Sequence, residues 1–248
     1  MKILFSPSET KNSGGLDIKF ENLEFILPNL HDKRIEAIKY YQSYIEKSDN
    51  NLLMKLFGTK KQALIDKYKE DIFKKPIMKP IERYSGVAYE YLNYSVLSYG
   101  AKRYIDSNTI IFSNLFGPLL AGDSGIPEYK LKQGESLGEI KLENYYKEYF
   151  SSELDKYLKD EEIIDLRAGF YEKFYKINKP YITMKFLKGG KVVSHWAKAY
   201  RGLILKAIAC NNIQTIEQLM MMEVENLSIK EIKKIGLKEE IVYEISSS

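Results

Sequence analysis

The chain has 248 residues, of which 44% are hydrophobic and 29% are charged, a balance that excludes intrinsic disorder and allows one sizeable core. The net charge of +4 permits a nucleic acid or phosphate partner without requiring one. No apolar run approaches the roughly 20 residues of a membrane helix, and one cysteine excludes an internal disulfide framework. We therefore expect a cytoplasmic protein that does not contact the membrane.

The first half of the chain predicts two buried strands separated by helices. The apolar run at residues 2–5 predicts a strand that leads into a polar loop at 6–15. A second short strand is predicted at 110–113, followed by a long loop at 114–125. Helical periodicity predicts helices at about 30–48, 50–57, 60–71 and 82–93.

The second half alternates helices with strands. An amphipathic helix is predicted at 143–159, and a long helix at 195–210. Strands are predicted at 162–166, 181–186 and 191–194. Residues 215–245 mix short helical and strand-like pieces. Because strands separated by helices are typical of a central sheet surrounded by helices, we expect a mixed α/β (α+β) fold in a single domain over 1–248.

The long helix at 195–210 carries the most informative pattern. His195, Lys198 and Arg201 share one face at helical spacing, and a face with two cations and a histidine suits an anionic partner. A solvated helix face is the alternative. Cys210, in an apolar run, is expected to be buried. The apolar residues of the opposite face predict contact with the core: Trp196, Ala199, Tyr200 and Leu203.

Polar residues also follow the predicted strands, where α/β folds place their sites. Hydroxyls of Ser6, Ser8 and Thr10 with the amine of Lys11 could hold a phosphate or a carboxylate, although a plain polar loop is the alternative. The loop is not a Walker loop, because it lacks Gly-Lys-Ser/Thr. Arg167 follows the strand at 162–166. If these strand ends converge, they form one cationic cleft.

Two helical segments carry further patterns. The segment at 53–63, with a glycine at Gly58 and lysines at Lys60 and Lys61, resembles half of a helix-hairpin-helix, which grips a DNA phosphate. A plain helical hairpin is the alternative, because the motif usually has two glycines. The small residues at 83–92 predict a helix packed closely against another backbone.

Taken in order, these motifs resemble the bacterial peroxide-stress-resistance YaaA family. The resemblance covers about 1–210 and leaves 211–248 unmatched. Lys130 and Lys132 stand where the family has an arginine and an acidic residue, and Leu120-Ala121 replace its usual Arg-Pro. The matching blocks are Ile3-Leu4-Phe5-Ser6-Pro7-Ser8-Glu9-Thr10-Lys11, the block 84–92, Phe112-Ser113-Asn114-Leu115-Phe116-Gly117, Pro127-Glu128-Tyr129-Lys130-Leu131, Leu166-Arg167-Ala168-Gly169 with Tyr171, and Ser194-His195-Trp196-Ala197-Lys198 with Arg201-Gly202.

The resemblance implies a family-specific fold with a positively charged cleft and a helix-hairpin-helix element at about 50–70. It also implies binding to duplex or branched DNA and a role in surviving hydrogen peroxide. We expect little sequence preference, because nothing resembles a recognition helix. The residues expected to bind DNA or another anion are Ser6, Lys11, Lys60, Lys61, Lys130, Arg167, Lys198 and Arg201.

An enzyme acting on a small anionic or nucleotide-like substrate is the alternative function. His195 is suited to proton transfer near neutral pH, and Glu9 could orient it or act as a base. No nucleophile–base pair or cofactor motif emerges from the spacing, so we lean against an enzyme and expect no cofactor. Direct iron chelation is disfavoured, because the chain has two histidines and no carboxylates clustered at ligand spacing.

Overall fold

The computed structural model describes residues 1–246, apart from the side chains of Ser194 and His195. Its central sheet has eight strands and the order β4-β3-β1-β6-β7-β10-β9, with β8 paired to β7, and β2 pairs separately with β5. The strands are β1 (Lys2–Phe5), β2 (Ile77–Met78), β3 (Thr109–Ser113), β4 (Gly117–Leu120), β5 (Ile126–Pro127), β6 (Ile163–Asp165), β7 (Tyr181–Lys188), β8 (Lys191–Val192), β9 (Leu227–Ile235) and β10 (Lys238–Ile245).

The five inner strands β3, β1, β6, β7 and β10 run parallel, and β4 and β9 close the two sides in antiparallel orientation. Strands β1, β3 and β6 are almost entirely buried, which is typical of parallel strands covered on both faces. Because these strands are parallel, their last residues meet along one side of the sheet. We call this side the carboxyl edge.

Helices surround the sheet in this single-domain mixed α/β fold, so the predicted fold class is confirmed. Among the described residues, no helix is both long and apolar enough to cross a membrane. The helices are α1 (His31–Lys47), α2 (Asn50–Phe57), α3 (Gln62–Lys69), α4 (Pro80–Arg83), α5 (Val87–Leu92), α6 (Tyr99–Asn108), α7 (Leu142–Tyr157), α8 (Ser194–Cys210) and α9 (Ile216–Met221).

Several sequence predictions of elements are confirmed and others are wrong. The predictions for β1, α1, α2, α7 and α8 match within about two residues. The predicted helix at 82–93 is wrong. The helical conformation is interrupted at Gly86, whose φ of 104° is incompatible with a helix. Helix α6 was not predicted at all. The predicted loop at 114–125 contains strand β4.

The buried guanidinium of Arg83 holds the loop that follows β1. It donates hydrogen bonds to the carbonyl oxygens of Asn12 and Gly14 (2.9 Å for Gly14), and also to those of Pro76 (2.9 Å) and Ile126 (3.1 Å). One side chain therefore ties this loop to the two small strands β2 and β5.

Helix α8 packs against α5 at very short range. A Cβ atom added at Gly202 would overlap the carbonyl oxygen of Ala88 and would lie 3.0 Å from the backbone nitrogen of Leu92. The predicted close packing of the 83–92 segment on another backbone is confirmed. The expected contact with the core is confirmed for Ala199, Tyr200 and Leu203 but is wrong for Trp196, which is 39% exposed at the start of α8. Cys210 was also expected to be buried, but it is exposed at the end of α8.

We expect Gly202→Ala to lower the free energy of unfolding by at least about 2 kcal/mol, because the added methyl group forces α8 away from α5. Chemical denaturation measures this loss. Gly100→Ala is the matched control: Gly100 lies in α6 with open space around it, so alanine should leave stability unchanged or raise it by up to about 1 kcal/mol. Equal stability of the two variants would contradict the close packing.

Candidate functional site

A cavity of about 460 Å³ lies at the carboxyl edge. We call it the edge cavity. It is formed where the chain leaves β1 and β6, and it is closed by α5 and α8. This arrangement confirms that the polar ends of these strands and the cationic face of α8 converge. The residues that line it are Phe5, Ser6, Pro7, Ser8, Glu9, Thr10, Gly86, Val87, Ala88, Tyr89, Gln133, Leu166, Ala168, Tyr171, Lys198 and Arg201.

Ser6 follows β1 and joins it to two other elements of the edge cavity, the end of β6 and helix α5. Its Oγ accepts a hydrogen bond of 2.7 Å from the backbone nitrogen of Ala168, just beyond β6. Its carbonyl oxygen accepts one of 2.9 Å from the hydroxyl of Tyr89 on α5. The Oγ keeps its own proton for donation, so the same hydroxyl that fixes the two strand ends can also donate to a bound anion.

Two further hydroxyls lie against Gly86, the glycine that precedes α5. Ser8 Oγ and Thr10 Oγ1 are 3.1 Å apart, and Thr10 Oγ1 donates to the carbonyl oxygen of Ser85 at 2.9 Å. A Cβ atom at Gly86 would lie 2.9 Å from Thr10 Oγ1 and 3.0 Å from Ser8 Oγ. Only glycine therefore leaves these hydroxyls room on this side of the edge cavity.

Lys198 and Arg201 bring positive charge to the edge cavity from one face of α8. Lys198 is exposed, whereas Arg201 is half-buried. Burial lowers the pKa of Arg201, and the charge of Asp165 opposes that shift. An arginine stays protonated despite such a shift. The cavity therefore has one partly desolvated cation and one exposed cation beside several hydroxyls.

Glu9 lies at the rim of the edge cavity and is held by the segment after β5. Its Oε2 is 3.7 Å from Lys130 Nζ, and its Oε1 accepts a hydrogen bond of 3.2 Å from the backbone nitrogen of Gln133. Lys130 therefore does not line the cavity itself but contacts Glu9, which does. The side chain of His195, the proposed partner of Glu9, lies outside the described residues.

Lys11 belongs to the loop after β1, but it does not line the edge cavity. Its Nζ is 4.0 Å from the ring centre of Tyr129 and 5.2 Å from that of Tyr84, and it donates to the carbonyl oxygen of Ser8 at 3.2 Å. Burial, and then the nearby charge of Lys130, lowers the pKa of Lys11 from 10.5 to about 7. An amine that titrates near neutral pH makes this part of the loop sensitive to pH.

Arg167 is buried, and its guanidinium donates four hydrogen bonds. Nε and Nη2 each donate to a carboxylate oxygen of Asp165 at 2.8 Å. Nη1 donates to the carbonyl oxygens of Tyr171 (3.2 Å) and Tyr175 (2.9 Å). Arg167 therefore positions the loop after β6. It does not line the edge cavity.

Lys60 and Lys61 lie in the turn between α2 and α3, exposed and apart from the edge cavity. Gly58 ends α2 in the left-handed conformation, so the segment forms a helical hairpin. The hairpin is tied to the segment after β5, because Lys132 donates its backbone hydrogen to the carbonyl oxygen of Leu56 at 2.8 Å. Lys132 is next to Gln133, so the hairpin adjoins the rim of the cavity.

Gln133 and Tyr89 line the edge cavity but were not among the predicted site residues. Gln133 follows Lys132 in a loop without any motif, and no sequence signal marks it. Tyr89 belongs to the segment at 83–92, which the sequence explains by packing alone. Both come to the cavity through tertiary contacts, Gln133 with Glu9 and Tyr89 with Ser6.

Comparison with known proteins shows that the sequence of this chain matches a family. The family model described as "Peroxide stress protein YaaA" matches residues 1–233. The match extends past residue 210, where the sequence motifs stop, and it includes α9 and most of β9. The C-terminal region is therefore matched further than its sequence motifs indicate.

Three bacterial relatives show how far the similarity extends. An uncharacterised protein of Campylobacter jejuni is 48% identical over 245 residues, covering 99% of both chains. A UPF0246 protein of Clostridioides difficile is 30% identical and covers 93% of this chain and 95% of its own. A UPF0246 protein of Fusobacterium nucleatum is 29% identical and covers 92% and 93%.

We expect the low pKa of Lys11 to make the free energy of unfolding rise with pH above neutrality. Between the folded value of about 7 and the ordinary value of 10.5, the unfolded chain binds more protons at Lys11 than the folded one does. Urea midpoints at about pH 6.5 and pH 9 should therefore rise more in the wild type than in Lys11→Met. Equal changes in the two proteins would contradict the shift. Lys130→Met, which removes a neighbouring charge, should weaken the effect without abolishing it.

Proposed function

Because the chain belongs to the family of the peroxide stress protein YaaA, we propose that it is a DNA-binding protein of the hydrogen peroxide response. It grips phosphates of duplex or branched DNA at the edge cavity. The observation that carries the proposal is the meeting of Lys198 and Arg201 with the hydroxyls of Ser6, Ser8 and Thr10 on one concave surface.

This set of groups suits phosphate oxygens. A lysine, an arginine and hydroxyl donors are the side chains that most often contact the DNA backbone, and such contacts fix the position of the DNA without reading its sequence. Half-burial of Arg201 strengthens its attraction for an anion, because fewer water molecules screen the charge. We therefore propose binding without strong sequence preference.

The cations outside the edge cavity extend the surface that DNA would touch. Lys130 stands at the rim beside Glu9, and Lys60 and Lys61 lie on the hairpin that adjoins the same rim. A duplex is much wider than one cavity, so its backbone would meet these outer lysines as well as α8. In this proposal, Lys11 and Arg167 position the loops that carry the binding groups.

A small anionic or nucleotide-like ligand is the second candidate, favoured by the shape of the edge cavity. Its walls include the apolar side chains of Val87 and Leu166 as well as polar groups, a combination typical of small-molecule sites. An enzyme would use Glu9 and His195 for proton transfer. Native mass spectrometry distinguishes the two, because a tight small anionic ligand should co-purify with the wild type and be lost from Lys198→Ala/Arg201→Ala, which removes two cations that line the cavity.

We expect Lys198→Ala/Arg201→Ala to lower the affinity for labelled duplex and four-way-junction DNA at least about tenfold at moderate salt, because two phosphate contacts are lost. The slope of log affinity against log salt should fall by about two. Fluorescence anisotropy at several salt concentrations measures both quantities on two unrelated sequences. The matched control is Lys39→Ala/Lys47→Ala, which removes the same charge from exposed positions on α1. Equal affinity of both variants would contradict the proposal.

A further inference from the structure

A second concave surface continues from the edge cavity along the sheet. Arg201 lines both the edge cavity and an adjoining depression of about 190 Å³ beside β7. That depression shares Tyr181 and Lys238 with a larger cavity of about 580 Å³. We call the depression and the larger cavity together the sheet groove. Because each part shares lining residues with the next, the sheet groove adjoins the edge cavity at Arg201.

The floor of the sheet groove is one side of strand β7. Tyr181, Thr183 and Lys185 alternate along this strand, are half-buried, and line the groove. One wall comes from α7 and the loop after β6, and the other wall is the turn between β9 and β10. The three floor positions span about 13 Å at the usual rise of a strand. A narrow channel of this kind suits an extended chain better than a compact molecule.

The charge of the sheet groove is strongly positive. Two ion pairs lie within it, Arg167 with Asp165 and Lys238 with Glu240. Apart from these pairs, the charged groups among the described residues that line it are one carboxylate, Glu172, and five cations. The five cations are Lys147, Lys173, Lys176, Lys185 and Arg201. Such an excess attracts a partner that carries several negative charges in a row.

The wall formed by the β9–β10 turn is apolar and exposed. Ile235 is 52% exposed and Leu237 is 49% exposed, and both line the groove opposite the lysines of the other wall. The half-buried ring of Tyr181 lies at the end of the floor between them. The groove therefore offers cations for phosphates on one side and apolar or aromatic surface for bases on the other.

We propose that the sheet groove binds a single strand of nucleic acid, whose backbone passes along the lysine wall and reaches the edge cavity at Arg201. This inference rests on the proposed binding of DNA at the edge cavity and adds the path of an unpaired strand. A duplex has its bases turned inward and would leave the apolar wall uncovered. A branched or partly melted DNA presents both forms, with the duplex at the edge cavity and the free strand in the sheet groove.

The test compares two probes on the same variants. An oligothymidylate of about 15 nucleotides represents the single strand, and a blunt duplex of matched length represents paired DNA. Lys147→Ala/Lys173→Ala/Lys176→Ala removes three exposed lysines of one wall. The matched control is Lys39→Ala/Lys47→Ala/Lys159→Ala, which removes three exposed lysines that line neither surface. Thermal unfolding of both variants confirms that the fold is intact.

We expect the groove variant to bind the oligothymidylate at least about tenfold more weakly, with a salt slope lower by about two, and the control to bind like the wild type. Duplex affinity should change much less in both variants. A second variant, Leu237→Asp, should weaken single-strand binding by placing a negative charge where a base would lie.

Three results would overturn this inference. Unchanged oligothymidylate affinity in the groove variant, with duplex binding still sensitive to Lys198→Ala/Arg201→Ala, would refute the groove alone. An equal loss for single strand and duplex would show a general phosphate surface. Displacement of the oligothymidylate by poly-glutamate at equal charge concentration would show a site for any polyanion. Absence of binding to either probe by the wild type would instead refute the proposed function itself.

Discussion

The carboxyl edge depends on the buried ion pair between Asp165 and Arg167. Asp165 ends β6, which lies between β1 and β7, so the pair is near the middle of the sheet. A lone charge at such a place would be very costly, but here both carboxylate oxygens accept hydrogen bonds from Arg167. The remaining donors of Arg167 hold the carbonyl oxygens of Tyr171 and Tyr175, and this fixes the loop that brings Ala168 to Ser6.

The role of Arg167 shows why a strand-end arginine is ambiguous in a sequence. The motif at 166–169 resembles a family motif, and from the sequence alone Arg167 is therefore expected to bind an anion like the other cations. Asp165 precedes it by two positions, and side chains two apart on extended backbone point to the same side. An ion pair between them is therefore as natural as an exposed cation. Only the tertiary fold shows that the pair is covered.

The fold was largely predictable from the sequence where one physical signal dominated. Short apolar runs bounded by turns predicted β1, β3 and β6, and helical periodicity predicted α1 and α8. Strand β4 was missed because Gly117 and Pro118 suggest a loop. Proline is nevertheless tolerated here, since β4 is the outermost strand of the sheet and pairs only with β3. The break at Gly86 was missed because the residues on both sides follow a helical pattern.

The candidate site was predictable in part. Ser6, Lys198 and Arg201 line the edge cavity, because parallel strands and the helix that follows them bring their ends together. Glu9 also lines it, but its carboxylate is held by Lys130 and by the backbone of Gln133. Those contacts join segments more than 120 residues apart in the chain. A local sequence pattern therefore cannot predict them.

The edge cavity and the sheet groove share Arg201 and differ in their chemistry. The edge cavity combines hydroxyls with two cations, whereas the sheet groove combines a lysine wall with an apolar wall. A protein that met damaged or branched DNA would use such a pair of surfaces to hold paired and unpaired strands at once.

The most direct test of this account is an NMR titration of isotope-labelled protein with a short duplex. If DNA phosphates bind at the carboxyl edge, the amide signals that shift will be those of residues 6–11, 86–89, 166–169 and 197–202. Shifts confined to the hairpin at 50–69, or the absence of saturable shifts at moderate salt, would contradict the central claim that the edge cavity is where this protein meets DNA.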